Sequence, residues 1–220
     1  DRWPWPRAHH AKLIDELNKA GVEQIVFDVD FSSYSNQDQD LALASAISKA
    51  EGKVVLATFR QPQSTGEAEA DLENLPIPIL RKEAFLGSVN VRPDADGQVN
   101  AYPFGTVTDS TPRPSLGALL ADASGPVNEE FKIDQSIDIE SIPRHSFIDI
   151  LEGQVDPREL KGKKVIIGAT AIEIGDRYAT ARFGVIPGVV VQAMAAETLI
   201  AGTVLPELGP WPTLVLTLIA

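Results

Sequence analysis

The chain has 220 residues, of which 44% are hydrophobic and 23% charged, so it is long enough to bury a globular core. Its formal charge of -12 argues against a nucleic-acid-binding protein, because phosphate backbones are bound by clusters of Lys and Arg. The absence of cysteine excludes disulfides, Cys-ligated zinc and thiol catalysis.

The first sixty residues predict helix, strand, helix and strand in turn. A helix with apolar residues at helical spacing begins at Pro6 and ends at Gly21. The run QIVFDVDF (24–31) is nearly continuous in apolar residues, and so is KVVLATF (53–59). Between them, residues 36–52 predict a helix whose first turn is acidic. Strands that alternate with helices in this way predict a parallel sheet.

The middle of the chain is more polar and more broken. Residues 60–76 have no apolar period and predict a surface loop. SVNVRPDADGQVNAYPF (88–104) predicts a β-hairpin around its PDADG turn. Apolar and polar residues alternate along 131–139, which predicts strand structure there.

A third buried strand, KKVIIG (163–168), is followed by a deeply packed helix at 187–202. The fold class predicted is α/β: a central, mainly parallel sheet flanked by helices, with an inserted β-hairpin region. We expect residues 1–208 to form one domain. The uncharged apolar run at 209–220 predicts the start of a transmembrane helix, cut short in this sequence; the alternative is a C-terminal strand or core helix.

Three carboxylates are candidates for ligand binding at the sheet edge. Asp28 and Asp30 lie two residues apart in the first strand, so their side chains share one face. Asp176 follows the last strand, and ligands of parallel sheets gather at the carboxyl ends of the strands. Such a trio suits Mg²⁺ or Ca²⁺ and would fit a metal-dependent phosphohydrolase or phosphotransferase. Alternatively, each Asp caps a loop.

Three further residues complete the candidate ligand-binding set. Arg60, at the end of the second strand, could pair with a ligand carboxylate or an acidic neighbour. Thr170 and Thr180 lie in the polar stretch GATAIEIGDRYAT that follows the third strand. No phosphate-binding glycine motif, nucleophile elbow or metal-binding His pattern is present, so no catalytic residue, metal ligand or cofactor is predicted.

An ordered set of segments resembles one known family. RWPWPRAHHAKLIDELNKAGVEQIVFDVDF, PDADGQVNAYPF, PSLGALLA, LKGKKVIIGATAIEIGDRYAT and PGVVVQAMAAETLIAG together resemble the second class of CHASE sensor domains, the sensory extracellular domains associated with cyclases and histidine kinases. The resemblance covers essentially the whole chain. The chain differs where relatives commonly have Thr-Pro, here Thr180-Ala181, and where they often have His, here Gln192.

The resemblance implies a non-catalytic, extracytoplasmic sensor anchored in the cell membrane through flanking helices. It implies a cytoplasmic output domain: a nucleotide cyclase, a histidine or Ser/Thr kinase, or a cyclic-di-GMP enzyme. We expect an unidentified small-molecule or ion ligand, a homodimer and no nucleic-acid partner. A scaffold whose role is dimerisation is a further alternative.

Overall fold

A computed structural model describes residues 5–65, 68–172 and 176–204. Its helices are α1 (Arg7–Ala20), α2 (Gln37–Lys49), α3 (Pro78–Arg81), α4 (Leu116–Leu120), α5 (Phe147–Leu151), α6 (Pro157–Leu160) and α7 (Gly188–Ala201). Its strands are β1 (Gln24–Asp28), β2 (Val54–Thr65), β3 (Ala68–Asn74), β4 (Phe85–Ser88), β5 (Ala101–Pro103), β6 (Gly105–Thr108), β7 (Thr111–Pro114), β8 (Glu130–Lys132), β9 (Lys164–Gly168), β10 (Arg177–Thr180) and β11 (Gly184–Pro187).

The central sheet is mainly parallel, as the sequence predicts, with β3 added antiparallel to β2. Strand β1 lies between β2 and β9, and β2 also pairs in parallel with β4. The register places Ile25 opposite Val54 on one side and Val165 on the other. All four strands therefore present their carboxyl ends at one edge of the sheet.

Helices cover both faces of this sheet. On one face, α1 and α2 pack over Ile25, Phe27 and Leu56 in the largest hydrophobic cluster. On the other face, α4 and α7 pack over Val26 and Val55. Because β1 and β2 are covered twice, they have the continuous apolar sequence of doubly buried strands rather than an alternating one.

The helix ends follow the predicted chemistry. Pro6 precedes α1, and Gly21 ends it in the left-handed conformation at φ 78°. The Asn36 side chain caps α2 by accepting a hydrogen bond from the Asp38 backbone N–H at 2.8 Å. Both helices begin within one residue of the predicted start, whereas α2 ends at Lys49, three residues before the predicted end at Gly52.

The predicted surface loop at 60–76 is wrong. Strand β2 continues to Thr65 and pairs with β3 in an antiparallel ribbon that places Arg60 opposite Glu73. Backbone hydrogen bonds hold this ribbon, and they require no alternation of apolar side chains, which is why the sequence gives no strand signal here.

The predicted hairpin at 88–104 is correct only at its turn. The Asp94 and Gln98 backbones bond across the turn at 2.7 Å, with Gly97 at φ 80°. The arms pair elsewhere: β4 joins β2, and β5 joins β8, placing Tyr102 opposite Phe131. The inserted hairpins are instead β6–β7 and β10–β11.

Within the described residues, no helix is long and apolar enough to cross a membrane. The transmembrane segment predicted at 209–220 lies outside the residues that the structure describes.

Candidate ligand-binding site at the carboxyl edge of the sheet

Asp28 is the last residue of β1, at the carboxyl edge of the sheet. It lies opposite Gly168, the last residue of β9. A Cβ atom on Gly168 would come within 2.6 Å of Val189 in α7 and 3.3 Å of the Asp28 Cβ. The absence of a side chain at this position therefore lets the start of α7 lie directly against the strand end that carries Asp28.

Asp176 joins this edge from the segment that leads into β10. Its backbone carbonyl accepts a hydrogen bond from the Gly188 N–H at 3.0 Å. A Cβ atom on Gly188 would lie 2.1 Å from the Asp176 Oδ2 atom, so the carboxylate rests against the first residue of α7. The N-terminal end of a 14-residue helix favours a negative group in this position.

Two tyrosines lie near the carboxyls, and a glutamine lies beside one of these tyrosines. The half-buried Tyr178, in β10, hydrogen bonds to the Asp176 side chain. The fully buried Tyr102 donates its hydroxyl hydrogen to Gln192 Oε1 and accepts from the Gly117 N–H at 3.3 Å. The Gln192 amide in turn donates to the Val89 carbonyl at 3.2 Å. The polar group of Tyr102 is thus satisfied inside the fold.

Asp28 is electrostatically unusual. The residue retains some exposure, but its Oδ2 atom is sealed from solvent and has no hydrogen-bond partner among the described residues. Burial, and then the charge of Asp176, raise the pKa of Asp28 from 3.8 to about 7. Near neutral pH the charge of this carboxyl is therefore sensitive to pH.

The pKa values of its neighbours shift in the same sense. Burial raises the pKa of Asp176, and the hydrogen bond from Tyr178 opposes that rise. Burial, followed by the charges of Asp176 and Asp28, raises the pKa of Tyr178 to about 12. Burial also raises the pKa of Tyr102. These shifts describe a cluster that is rich in acidic groups and unfavourable to further negative charge.

The other predicted site residues lie in structural roles or apart from this pair. Asp30 is exposed, and its Oδ1 accepts from the Ser32 N–H at 2.8 Å, which caps the loop after β1. Thr180 closes the β10–β11 hairpin, because its hydroxyl donates to the Gly184 carbonyl at 3.0 Å. Thr170 is exposed two residues beyond β9.

Arg60 is half-buried in β2, beyond the section that pairs with β1. Its backbone N–H donates to the Asn90 Oδ1 atom at 3.1 Å. A role for its guanidinium in binding a ligand carboxylate stays a prediction.

The structure thus joins Asp28 to Asp176 and holds Asp30 as a loop cap. Across residues 5–65, 68–172 and 176–204, no three His, Asp or Glu side chains are grouped as a metal ion requires. The trio proposed for a metal-dependent phosphotransferase is therefore not assembled in the part of the chain that is described.

Sequence reasoning missed the two tyrosines and the position of Gln192 beside them. Tyr102 lies in a segment that the sequence assigns to a hairpin arm, and Tyr178 in a stretch assigned to a polar loop. The useful signal was the tyrosine itself, since a hydroxyl within an apolar strand needs a buried polar partner.

The chain matches one known protein family over its whole length. The family model of the CHASE2 domain matches residues 1–220. No curated protein and no solved structure matches the chain.

Proposed function

Because the chain belongs to the CHASE2 domain family, a family of sensory extracellular domains rather than enzymes, we propose that it senses a signal for a transmembrane receptor. It lies on the extracytoplasmic side of the cell membrane, held by flanking helices, and works as a homodimer. The receptor's cytoplasmic output is a nucleotide cyclase, a histidine or Ser/Thr kinase, or a cyclic-di-GMP enzyme.

The observation that carries this proposal, besides family membership, is the contact between the acidic pair and α7. Asp28 belongs to the central sheet, whereas Asp176 rests on Gly188 at the start of α7. A ligand that changes the distance or charge between these carboxyls acts directly on the junction of the sheet with that helix.

Helix α7 is suited to carry such a change. It runs 14 residues from Gly188 to Ala201, a length of about 21 Å. The segment predicted to enter the membrane, 209–220, follows it in the chain. A ligand shifts such an element only if it binds one of two arrangements more tightly than the other.

Cysteine labelling tests the location of the domain. The 220 residues contain no cysteine, and the Lys82 side chain is 81% exposed, so Lys82→Cys gives a single accessible thiol in this part of the protein. In intact cells that express the full-length protein, a membrane-impermeant maleimide should label this thiol. Labelling only after lysis would contradict an extracytoplasmic sensor. The unsubstituted protein is the control for thiols elsewhere in the full-length chain.

A further inference from the structure

We propose that the acidic cluster at the carboxyl edge of the sheet binds a primary ammonium group, so that the ligand is a small organic amine. This inference rests on the proposed sensing function and names the class of ligand for the same site. It is carried by the acceptors that the cluster offers and by the lack of a neighbouring cation among the described residues.

The side chains that offer acceptors here are as many as the donors of a primary ammonium group. The Asp28 Oδ2 atom is buried and lacks a hydrogen-bond partner among the described residues. The Asp176 carboxylate and the Tyr178 hydroxyl, which hydrogen bond to each other, supply further lone pairs beside it. A primary ammonium carries three N–H donors and no acceptor. Three side chains, one each from β1, β10 and the segment before β10, can therefore offer one acceptor to each N–H of such a group.

The charges around the pair also favour a cation. Besides the two carboxyls, the groups that interact electrostatically with the pair are Tyr102 from β5 and Tyr178 from β10, neither of which is basic. Arg177 is the nearest cation in sequence, and it donates to the Val185 carbonyl across the β10–β11 hairpin. A buried carboxylate without a positive partner is costly, and an ammonium ligand would supply that partner.

A divalent metal fits the same cluster less well. Ca²⁺ takes six to eight oxygen ligands and Mg²⁺ six, in near-ideal geometry. The described residues bring only two carboxyls together here, without a third acidic or His side chain. An ammonium group needs no more acceptors than this cluster offers.

The two carboxyls of the pair differ in exposure. Asp176 is exposed, whereas the Oδ2 atom of Asp28 is sealed from water. An amine would therefore meet Asp176 first, and the Asp28 side chain must turn before its Oδ2 atom accepts from the ammonium group.

Two probes of equal charge separate hydrogen bonding from simple attraction. Methylammonium has three N–H donors, whereas tetramethylammonium has none. We expect methylammonium to raise the melting temperature of the 220-residue protein at about pH 8, because a ligand held by the folded state alone stabilises it. Its two non-hydrogen atoms limit the dissociation constant to roughly the millimolar range, so titrations are made at constant ionic strength.

The matched variants are Asp28→Asn and Asp30→Asn. The first replaces the buried carboxyl with a neutral group of equal size, and we expect roughly a ten- to hundredfold loss of methylammonium affinity. The second changes an exposed carboxyl two residues away and should leave the affinity unchanged. Tyr178→Phe, which removes one acceptor while keeping the ring, should weaken binding by a smaller factor.

Three results would overturn the proposal. The first is no stabilisation by methylammonium at about pH 8, and the second is equal stabilisation by tetramethylammonium. The third is stabilisation by Mg²⁺ or Ca²⁺ instead, lost in Asp28→Asn, which would make the cluster a metal site. None of these results bears on where the domain lies, and cysteine labelling does not report on amine binding. The two proposals can therefore fail separately.

Discussion

Asp28 is the residue whose chemistry has the widest consequences. Its pKa is raised in the folded protein from 3.8 to about 7, so the folded state holds this proton more tightly than the unfolded state does. The free energy of unfolding must then fall as pH rises from about 4 to about 7. At about 1.4 kcal/mol per pKa unit, the loss attributable to this carboxyl amounts to roughly 4 kcal/mol above pH 7.

Asp28→Asn should remove that penalty. We expect the variant to be more stable than the unsubstituted protein above about pH 7, and the difference to vanish near pH 4, where both side chains are neutral. Urea unfolding at a series of pH values measures it. Asp30→Asn is the matched control and should lack this pH-dependent gain, because Asp30 is exposed. If the difference in unfolding free energy between Asp28→Asn and the unsubstituted protein were the same at every pH, the pKa of Asp28 would not be raised.

His10 should give the stability of the protein the opposite dependence on pH. Its imidazole is 3% exposed and lies edge-on to Phe31 and Phe147, with ring centroids 5.4 Å away in each case. Burial, then the charges of His9 and Arg7, lower its pKa from 6.5 to about 4. The unfolded chain therefore binds the proton more tightly, and stability is lost as pH falls from about 6.5 toward 4.

His10→Phe should reduce this sensitivity to acid. Phenylalanine keeps an aromatic ring among the same neighbours and removes the Nδ1 atom, which has no partner among the described residues. The expected result is a flatter plot of melting temperature against pH between about pH 4 and 6.5. An equally steep plot for both proteins would show that His10 is not the group responsible.

Part of the candidate site could be predicted from single residues. Asp28 is the last residue of the parallel strand β1, and Asp176 comes soon after the parallel strand β9. Both are therefore expected at the same edge of the sheet. The partners of these carboxyls could not be predicted. Tyr102 and Gln192 are 90 residues apart and meet only because β5 and α7 pack against each other. No local pattern encodes a contact at that separation.

At the scale of elements, the first two helices are joined by a buried ion pair. Arg7, at the start of α1, donates to Asp40 in α2 at 2.5 Å, and their side chains are 8% and 7% exposed. The Arg7 guanidinium also bonds the Ser33 carbonyl and lies 5.5 Å from the centroid of the Phe31 ring. The pair therefore fixes the start of α1 to both α2 and the loop before it.

Arg7→Met should destabilise the protein by roughly 3–5 kcal/mol, because it leaves the Asp40 carboxylate buried without its partner. Arg7→Met together with Asp40→Leu should recover much of that loss. The control is Lys19→Met, which breaks an exposed pair with Glu16 and should cost under about 1 kcal/mol. Chemical denaturation measures all three. If Arg7→Met lowered the unfolding free energy as little as Lys19→Met does, the buried ion pair would not have the stabilising role assigned to it.

Gly188, the first residue of α7, lies against the Asp176 carboxylate, and this contact gives a second prediction at the scale of elements. A Cβ atom at this position would lie 2.1 Å from Asp176 Oδ2, so Gly188→Ala must push the carboxylate away or shift the helix. We expect a loss of roughly 1–3 kcal/mol in unfolding free energy. Adding Asp176→Ala should restore most of it. A double variant no more stable than Gly188→Ala alone would show that the clash lies elsewhere.

The elements that could be predicted are those with a strong apolar signal. The strands β1, β2 and β9 and the helices α1, α2 and α7 bury enough apolar side chains to mark their own position and type. The β2–β3 ribbon and the pairing of β5 with β8 could not be predicted. The ribbon extends through a polar stretch, and the partner of β5 lies about thirty residues farther along the chain. Strand partners at that distance are decided by tertiary packing.

At the scale of the whole molecule, the acidic pair of this CHASE2 domain lies where two layers of the fold meet. The acidic pair touches both the central sheet and the first turn of α7. A change of charge there alters the packing of two layers of the fold at once. Signalling through it requires that the two arrangements of α7 differ in their affinity for the ligand or the proton.

The output activity of the proposed full-length receptor tests this link most directly. It should be compared in isolated membranes for the unsubstituted protein, Asp28→Asn and Asp30→Asn, measuring cyclic-nucleotide formation, phosphate transfer and cyclic-di-GMP turnover. We predict that Asp28→Asn fixes the output at one level and removes its response to methylammonium, whereas Asp30→Asn responds as the unsubstituted protein does. A response that survives in Asp28→Asn would contradict the account.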